Sequence, residues 1–279
     1  ITLGGNVTEK SAGLYTAEAT AVSNGNYKLP SDVTKSWTIK QRAVVLAWKL
    51  DGENKLAVEY DSAVHGVSAS VTNVATGDSL AVTLTGDATA TVKGAYRATA
   101  SEITGTGSSN YTLEGVEEVH EAKYYEWKIT AIVLDVAFNG GSFNYDGSLQ
   151  GITATITKIT AKDLLDDAVG FGTTGTSAGV TVTTSKDDLK YYVTFRATQA
   201  RTYDVAIASI NGTAADNYEL PAEVSSAFVI GKRIITVSWT AEGGVYKAAE
   251  YFATATATNV VAGDMLVLSY NTTGNANAY

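Results

Sequence analysis

The motif Asn-Tyr-x-Leu occurs three times, at 26–29, 110–113 and 217–220. Each copy is preceded by another tyrosine at 12 to 15 residues (Tyr15, Tyr96, Tyr203) and followed by an aromatic-x-Ile pair (Trp37 and Ile39, Trp127 and Ile129, Phe228 and Ile230). Three landmarks agreeing in order mark a repeat array. A residue recurring at one place in every copy then belongs first to the architecture of the module.

The register continues beyond each pair. Positions 5, 7 and 9 after the Ile are Val44, Leu46 and Trp48, then Leu134, Val136 and Phe138, then Ile235, Val237 and Trp239. An apolar period of two ending on a large aromatic predicts a strand with one buried face. All nine residues are expected in the core. A second shared block follows, aligned on Tyr60-Asp61-Ser62, Tyr145-Asp146-Gly147 and Tyr246-Lys247-Ala248. Six residues on, each enters an alternating strand that closes on an acidic turn: 66–78, 151–163 and 252–264, ending at Asp78, Asp163 and Asp264.

Each module thus has a leading half with the Tyr-Asp-Gly-like block and a trailing half with Asn-Tyr-x-Leu. Residues 41–130 and 131–232 read as complete modules, 1–40 as a trailing half and 233–279 as a leading half. The expectation is a segment of a longer repetitive chain. The joins Lys40-Gln41-Arg42-Ala43 and Thr130-Ala131-Ile132-Val133 lack Gly and Pro, so successive modules are expected end to end without a flexible linker.

With 26 Gly, 2 Pro and many Thr, Ala, Val and Ser, the composition suits short strands joined by Gly, Asn and Asp turns. Two short helices are candidates, over Thr160–Val169 and Gly115–Lys123. The fold expected is all-β: tandem immunoglobulin-like β-sandwich modules of about seven strands. A β-grasp-like module with one short helix is the alternative.

A formal charge of −9 with scattered Lys and Arg argues against a nucleic-acid or anionic-membrane surface. No apolar run reaches membrane-spanning length. The chain has no cysteine, which removes a disulfide framework without fixing the compartment.

The Tyr145-Asp146-Gly147 block with its Thr/Ile strand, and the Asn-Tyr-x-Leu block leading to aromatic-x-Ile, resemble the tandem YDG and MBG repeat domains of large bacterial cell-surface proteins. Residues 131–232 carry the literal YDG sequence, whereas the first block has Ser62 and the last Lys247-Ala248. The resemblance implies an extracellular, cell-surface or secreted location and a stalk, adhesin or fibre built of such repeats. It supplies no catalytic residues. The function expected is therefore structural, without enzymatic activity, and neighbouring segments are the expected partners. A ligand-binding adhesin module for a glycan or host protein is the alternative.

Each site candidate has a plainer reading beside it. His65 and His120, at unrelated module positions, read as surface or loop histidines. Calcium is weighed at Asp51-Gly52-Glu53-Asn54, at Asp163 with Asp166 and Asp167, and at Asp187-Asp188. None has EF-hand spacing and none recurs, so solvated turns are expected and no metal site is assigned. Tyr124-Tyr125 and Tyr191-Tyr192 each place one ring away from the core, to stack on a sugar or to pack across strands. Lys93 or Lys128 could supply an isopeptide amine, which would have to be buried beside a carboxyl. The recurrent tyrosines read as corners that tie a loop through the hydroxyl, each preceding Asn tolerating left-handed geometry.

Overall fold

Val44, Leu46, Trp48 and Leu50 are buried while Val45 and Lys49 face water, so the register read from the period of two holds. A computed structural model describes residues 1–175, 179–187 and 189–269. Its chain divides into two units, Ile1–Ile132 and Val133–Tyr279.

The first unit opens with an antiparallel sheet of β1 (Thr2–Gly5), β2 (Gly13–Ala21) and β3 (Thr34–Ile39), in the order β1-β2-β3. After the two-residue β4 (Arg42–Ala43) come β5 (Leu46–Leu50), β6 (Ala57–Glu59) and β7 (His65–Val71). Next are β8 (Ser79–Gly86), β9 (Thr89–Ala90), β10 (Gly94–Thr106), the short β11 (Tyr111–Thr112) and β12 (Tyr124–Thr130). Apart from the short parallel pair β4–β11, they make two sheets, β5-β7-β9 and β6-β12-β10-β8, and the Trp48 ring stacks on Tyr125 of the other sheet at 5.6 Å.

At the unit boundary lies β13 (Ile132–Val133). The second unit then has β14 (Asp135–Phe138), β15 (Gly141–Asn144), β16 (Gln150–Thr157), α1 (Ala161–Leu165), β17 (Gly170–Thr174), β18 (Thr181–Lys186) and β19 (Tyr191–Ala197). It continues with β20 (Thr202–Asn211), β21 (Tyr218–Glu219) and β22 (Ser225–Gly231), and ends in the hairpin β23 (Val237–Ala241) and β24 (Ala253–Ala257). Its two four-stranded sheets run β14-β16-β19-β18 and β15-β22-β20-β17. Leu134, Ile152, Ile156, Phe195, Tyr203, Ile207 and Phe228 fill the core between them. The fold is all-β and sandwich-type, with one α-helix of five residues among the described residues.

The register is the same in every copy. Leu46 pairs with Val71 and Trp48 with Ala69; Val136 with Ile156 and Phe138 with Ala154; Val237 with Ala257 and Trp239 with Ala255. In the other sheet Tyr15 pairs with Trp37, Tyr96 with Trp127 and Tyr203 with Phe228. In each of the two sandwiches one short strand also crosses to pair with the sheet that carries the aromatic-x-Ile strand. There β6 lies parallel to β12 with Val58 beside Ile129, and β15 parallel to β22 with Phe143 beside Ile230.

Four expectations are corrected. Val136, Phe138 and Ile235 are half-buried and Val237 and Trp239 exposed, Trp239 at 65%; among the described residues no second sheet is laid over the hairpin β23–β24 within its unit. Residues 115–123 form turns and not a helix: Gly115 is left-handed at φ 79°, and the bonds that follow close turns, from Val116 to Leu113 and from Ala122 to Val119. The other candidate helix forms in shorter length, with Thr160 as N-cap accepting from the Asp163 N–H at 3.3 Å. Asn110 and Asn217 are not left-handed. Each ends a 3₁₀ turn, and the positive φ falls earlier, at Gly107 and Gly212.

Candidate functional site

The residues that recur converge on two hydrogen-bonding devices. In the first, Tyr15 donates to Ser11 O at 2.6 Å, Tyr96 to Val92 O at 2.6 Å and Tyr203 to Gln199 O at 2.7 Å. Each hydroxyl reaches back four residues and closes the loop before its strand, as a tyrosine corner does. Each ring meanwhile lies on the aromatic of the next strand, at 5.1 Å from Trp37, 4.8 Å from Trp127 and 4.8 Å from Phe228.

The second device joins residues far apart in sequence within one sandwich. The Tyr111 hydroxyl donates to Asp78 Oδ2 at 2.8 Å and accepts from the Ala75 N–H at 2.7 Å. The Tyr218 hydroxyl donates to Asp163 Oδ2 at 2.6 Å and accepts from the Thr160 N–H at 3.0 Å. Burial, then the Asp163 carboxylate, pushes the Tyr218 phenol up to about 12. The role of Asp78 and Asp163 in this latch escaped the sequence reading. The signal was there, because an Asp closes the alternating strand in all three copies.

The third Asp has another partner. Asp264 accepts from the Tyr145 hydroxyl at 2.8 Å, which raises that phenol. Tyr27, the third tyrosine of the Asn-Tyr-x-Leu motif, is 71% exposed. Around Asp264 a cavity of about 390 Å³ is lined by Tyr145, Lys232, Arg233, Ile235, Val261 and Met265, among others.

His65 is a correction: it sits buried at the start of β7, with Nδ1 2.9 Å from Asp51 and Nε2 3.0 Å from Asp61. The alternation that turns Val67 inward also turns His65 inward, two residues earlier. Burial alone would raise the Asp51 carboxyl, but the Gly66 N–H, His65 and Lys55 together bring it below the ordinary range. His120 stacks on Tyr125 at 5.2 Å and accepts the Glu126 N–H at 3.0 Å through Nδ1.

The acidic clusters are tied up locally. Asp51 and Glu53 face Lys55, Asp166 pairs with Lys162, and Asp167 with Lys186. Asp187 accepts from Leu189 N, Lys190 N and the Tyr192 hydroxyl, while Asp188 lies outside the described residues. Among the described residues no group of three or more His, Cys, Asp or Glu could hold a metal.

Of the paired tyrosines, Tyr125 is buried and Tyr124 is covered by the Arg97 guanidinium 3.5 Å from its ring. Tyr191 meets Phe171 edge-on at 5.0 Å and Tyr192 bonds Asp187, so the outward rings pack against protein. Lys93 and Lys128 are exposed, which removes the buried amine an isopeptide bond requires. No described helix is long and apolar enough to cross a membrane.

No protein-family model and no curated protein matches the sequence. Among solved structures, the Escherichia coli adhesin FdeC matches with 14% identity and a TM-score of 0.25, covering 80% of this chain and 74% of its own.

Proposed function

We propose that this chain is a structural repeat segment of an extracellular bacterial surface stalk, adhesin or fibre. Its modules would run 41–130 and 131–232, with 1–40 a trailing half and 233–279 a leading half. The observation that carries this reading is that the recurrent residues fold each module or tie it to the next. Within the first unit, Ala12 N–H donates to Asn110 Oδ1 at 2.7 Å, tying the β1-β2-β3 sheet to the first sandwich. Within the second unit, Tyr145 to Asp264 ties the second sandwich to the hairpin.

Such contacts hold modules in succession, which is the task of a stalk and not of a reaction centre. Antibodies raised against these 279 residues should label intact cells that express the parent protein, and external protease should remove the label. Labelling seen only after the cells are lysed would overturn the reading. The alternative, an adhesin module for a glycan or host protein, rests on the cavity beside Tyr145, Lys232 and Arg233. Specific binding that Arg233→Ala abolishes would favour it.

A further inference from the structure

The last long strand of each whole sandwich lies between two unlike neighbours. On one side β12 pairs antiparallel with β10, and β22 with β20. On the other side β12 lies parallel to β6 and β22 parallel to β15, so a strand from the start of the sandwich is bonded directly to the strand that leaves it. The first pair sets Ala57, Val58 and Glu59 beside Lys128, Ile129 and Thr130. The second sets Gly141, Ser142, Phe143 and Asn144 beside Phe228, Val229, Ile230 and Gly231.

Backbone bonds close the first pair at both ends. Lys128 N–H donates to Leu56 O at 3.0 Å and Tyr60 N–H to Thr130 O at 2.9 Å, while the Thr130 hydroxyl donates to Val58 O at 3.2 Å. In the second pair Tyr145 N–H donates to Gly231 O at 2.9 Å. Val58 and Phe143 stand two residues before these donors, and alternate residues of a strand turn their N–H groups to the same neighbour. Their N–H groups therefore point to β12 and β22.

The places where the chain enters and leaves a sandwich fix how these pairs are loaded. Strand β10 starts at Gly94 beside Ile129, at the exit, and runs 13 residues to Thr106. Beyond it, Tyr111 takes the entering segment beside Arg42, and Val44 N–H donates to Thr112 O at 3.1 Å. Entry and exit are thus at opposite ends of one strand. Strand β20 repeats this, from Thr202 beside Val229 to Asn211, with Leu134 N–H donating to Glu219 O beyond it at 2.9 Å. Tension along the chain is directed along the strands.

In a parallel pair the N-terminal end of one strand and the C-terminal end of the other lie at opposite ends of the ladder. A pull on β6 from before Ala57 and on β12 from beyond Thr130 slides one strand along the other, and every bond of the pair is strained together. In an antiparallel pair the same pull would open the bonds one by one. Strand β5 precedes β6 on this path and is held to β7. Whether β5 holds or slides off first, the sandwich parts only when β6 leaves β12.

We infer that the parallel pairs β6–β12 and β15–β22 are shear clamps, which bear tension along the chain and set the force at which each sandwich gives way. This deepens the structural reading above and rests on it. A segment built of such modules transmits a pull without lengthening until a clamp ruptures. Forced unfolding is governed by the unfolding barrier, so single-molecule stretching reads the clamp directly.

The chain lacks cysteine, so two introduced thiols give unique handles on the full chain. Asn54 and Ala63 are exposed on either side of β6, and Ala131 is half-exposed just beyond β12. The Asn54→Cys/Ala131→Cys chain is pulled in shear across the pair. The Ala63→Cys/Ala131→Cys chain is pulled from one end and unzips the same pair. The rupture force should be about threefold higher in shear, because three register pairs then act together and not singly. In the shear direction Val58→Pro, which removes one donor, should lower the force by about one-third. Val58→Ala shortens the side chain but keeps the N–H, and should stay close to the unsubstituted force.

Equal rupture forces in the two directions would overturn the proposal, and so would Val58→Pro and Val58→Ala chains that rupture alike. Far-ultraviolet circular dichroism of each chain confirms that the strands are retained, and the two pulling directions decide the matter even where Val58→Pro does not fold. Failure here with surface labelling intact overturns the clamp alone, whereas failure of the labelling overturns the stalk reading and leaves the clamp standing.

Discussion

Tyr218 donates its hydroxyl hydrogen to Asp163, 55 residues earlier in the chain, at 2.6 Å, and both residues are buried. Tyr111 makes the same bond to Asp78 across 33 residues, with Asp78 half-buried. A hydrogen bond to a charged acceptor contributes more where water is excluded, so the two latches differ in strength. Tyr218→Phe should destabilise the second unit by about 1–3 kcal/mol, and Tyr111→Phe should cost the first unit nearer 1 kcal/mol. Urea unfolding followed by fluorescence, transition by transition, measures both. Equal midpoints for the two variants would show that burial of the acceptor does not set the strength of the latch.

The same latch gives an alkaline signature. The Tyr218 phenol ionises at about 12 in the folded protein, against about 10 for an unfolded tyrosine. A pKa raised by folding contributes stability that is fully present below pH ~10 and is lost as pH rises through about 12. Ultraviolet titration of tyrosinate in the native protein and in Tyr218→Phe should differ by one phenol that ionises near 12. A difference at the ordinary tyrosine value would contradict the burial argument.

At the other end of the scale stands Asp51, held by the Gly66 N–H, His65 and Lys55. Its carboxyl is depressed by folding, so its contribution is present above pH ~4 and is lost as pH falls through the lower folded value. Asp51→Asn should therefore flatten the acid limb of the stability profile of the first unit. His65→Leu, which removes both ring hydrogen bonds, should cost about 1–3 kcal/mol at neutral pH. Acid unfolding monitored by circular dichroism checks the first statement and urea unfolding the second.

Two glycines at the same φ separate backbone strain from crowding. Gly86 and Gly52 both have φ 80°, but a Cβ at Gly86 would stand 2.6 Å from Arg97 O while one at Gly52 meets open space. Gly52→Ala should cost about 1 kcal/mol, the left-handed penalty alone. Gly86→Ala should cost clearly more, because strand β10 must move. Gly5 and Gly175 stand equally close to Thr16 O and Asp204 O, so the same substitution at either should behave as at Gly86.

Much of the sandwich was legible because its signals are local and repeated. Val44, Leu46 and Trp48 alternate with exposed or half-exposed neighbours, and that period survives any detail of packing. The tyrosine corners were legible for the same reason, since each bond spans four residues. The Tyr111–Asp78 and Tyr218–Asp163 bonds were harder to see, because two recurrent residues far apart in sequence give no sign that they meet. His65 was misread because a lone histidine carries no period of its own, and its burial follows from Asp51 and Asp61 arriving on either side.

The sequence by itself determined the β class and which face of strands such as the one carrying Val44, Leu46 and Trp48 is apolar, because side-chain alternation and turn chemistry act over a few residues. Tertiary structure alone decided which surfaces are closed. Trp48 and Trp239 occupy equivalent positions on equivalent strands paired in one register, yet one is 5% exposed and the other 65%. Alternation states which face of a strand is apolar. Whether a second sheet covers that face depends on strands from a distant part of the chain, and burial is a property of that meeting and not of the strand.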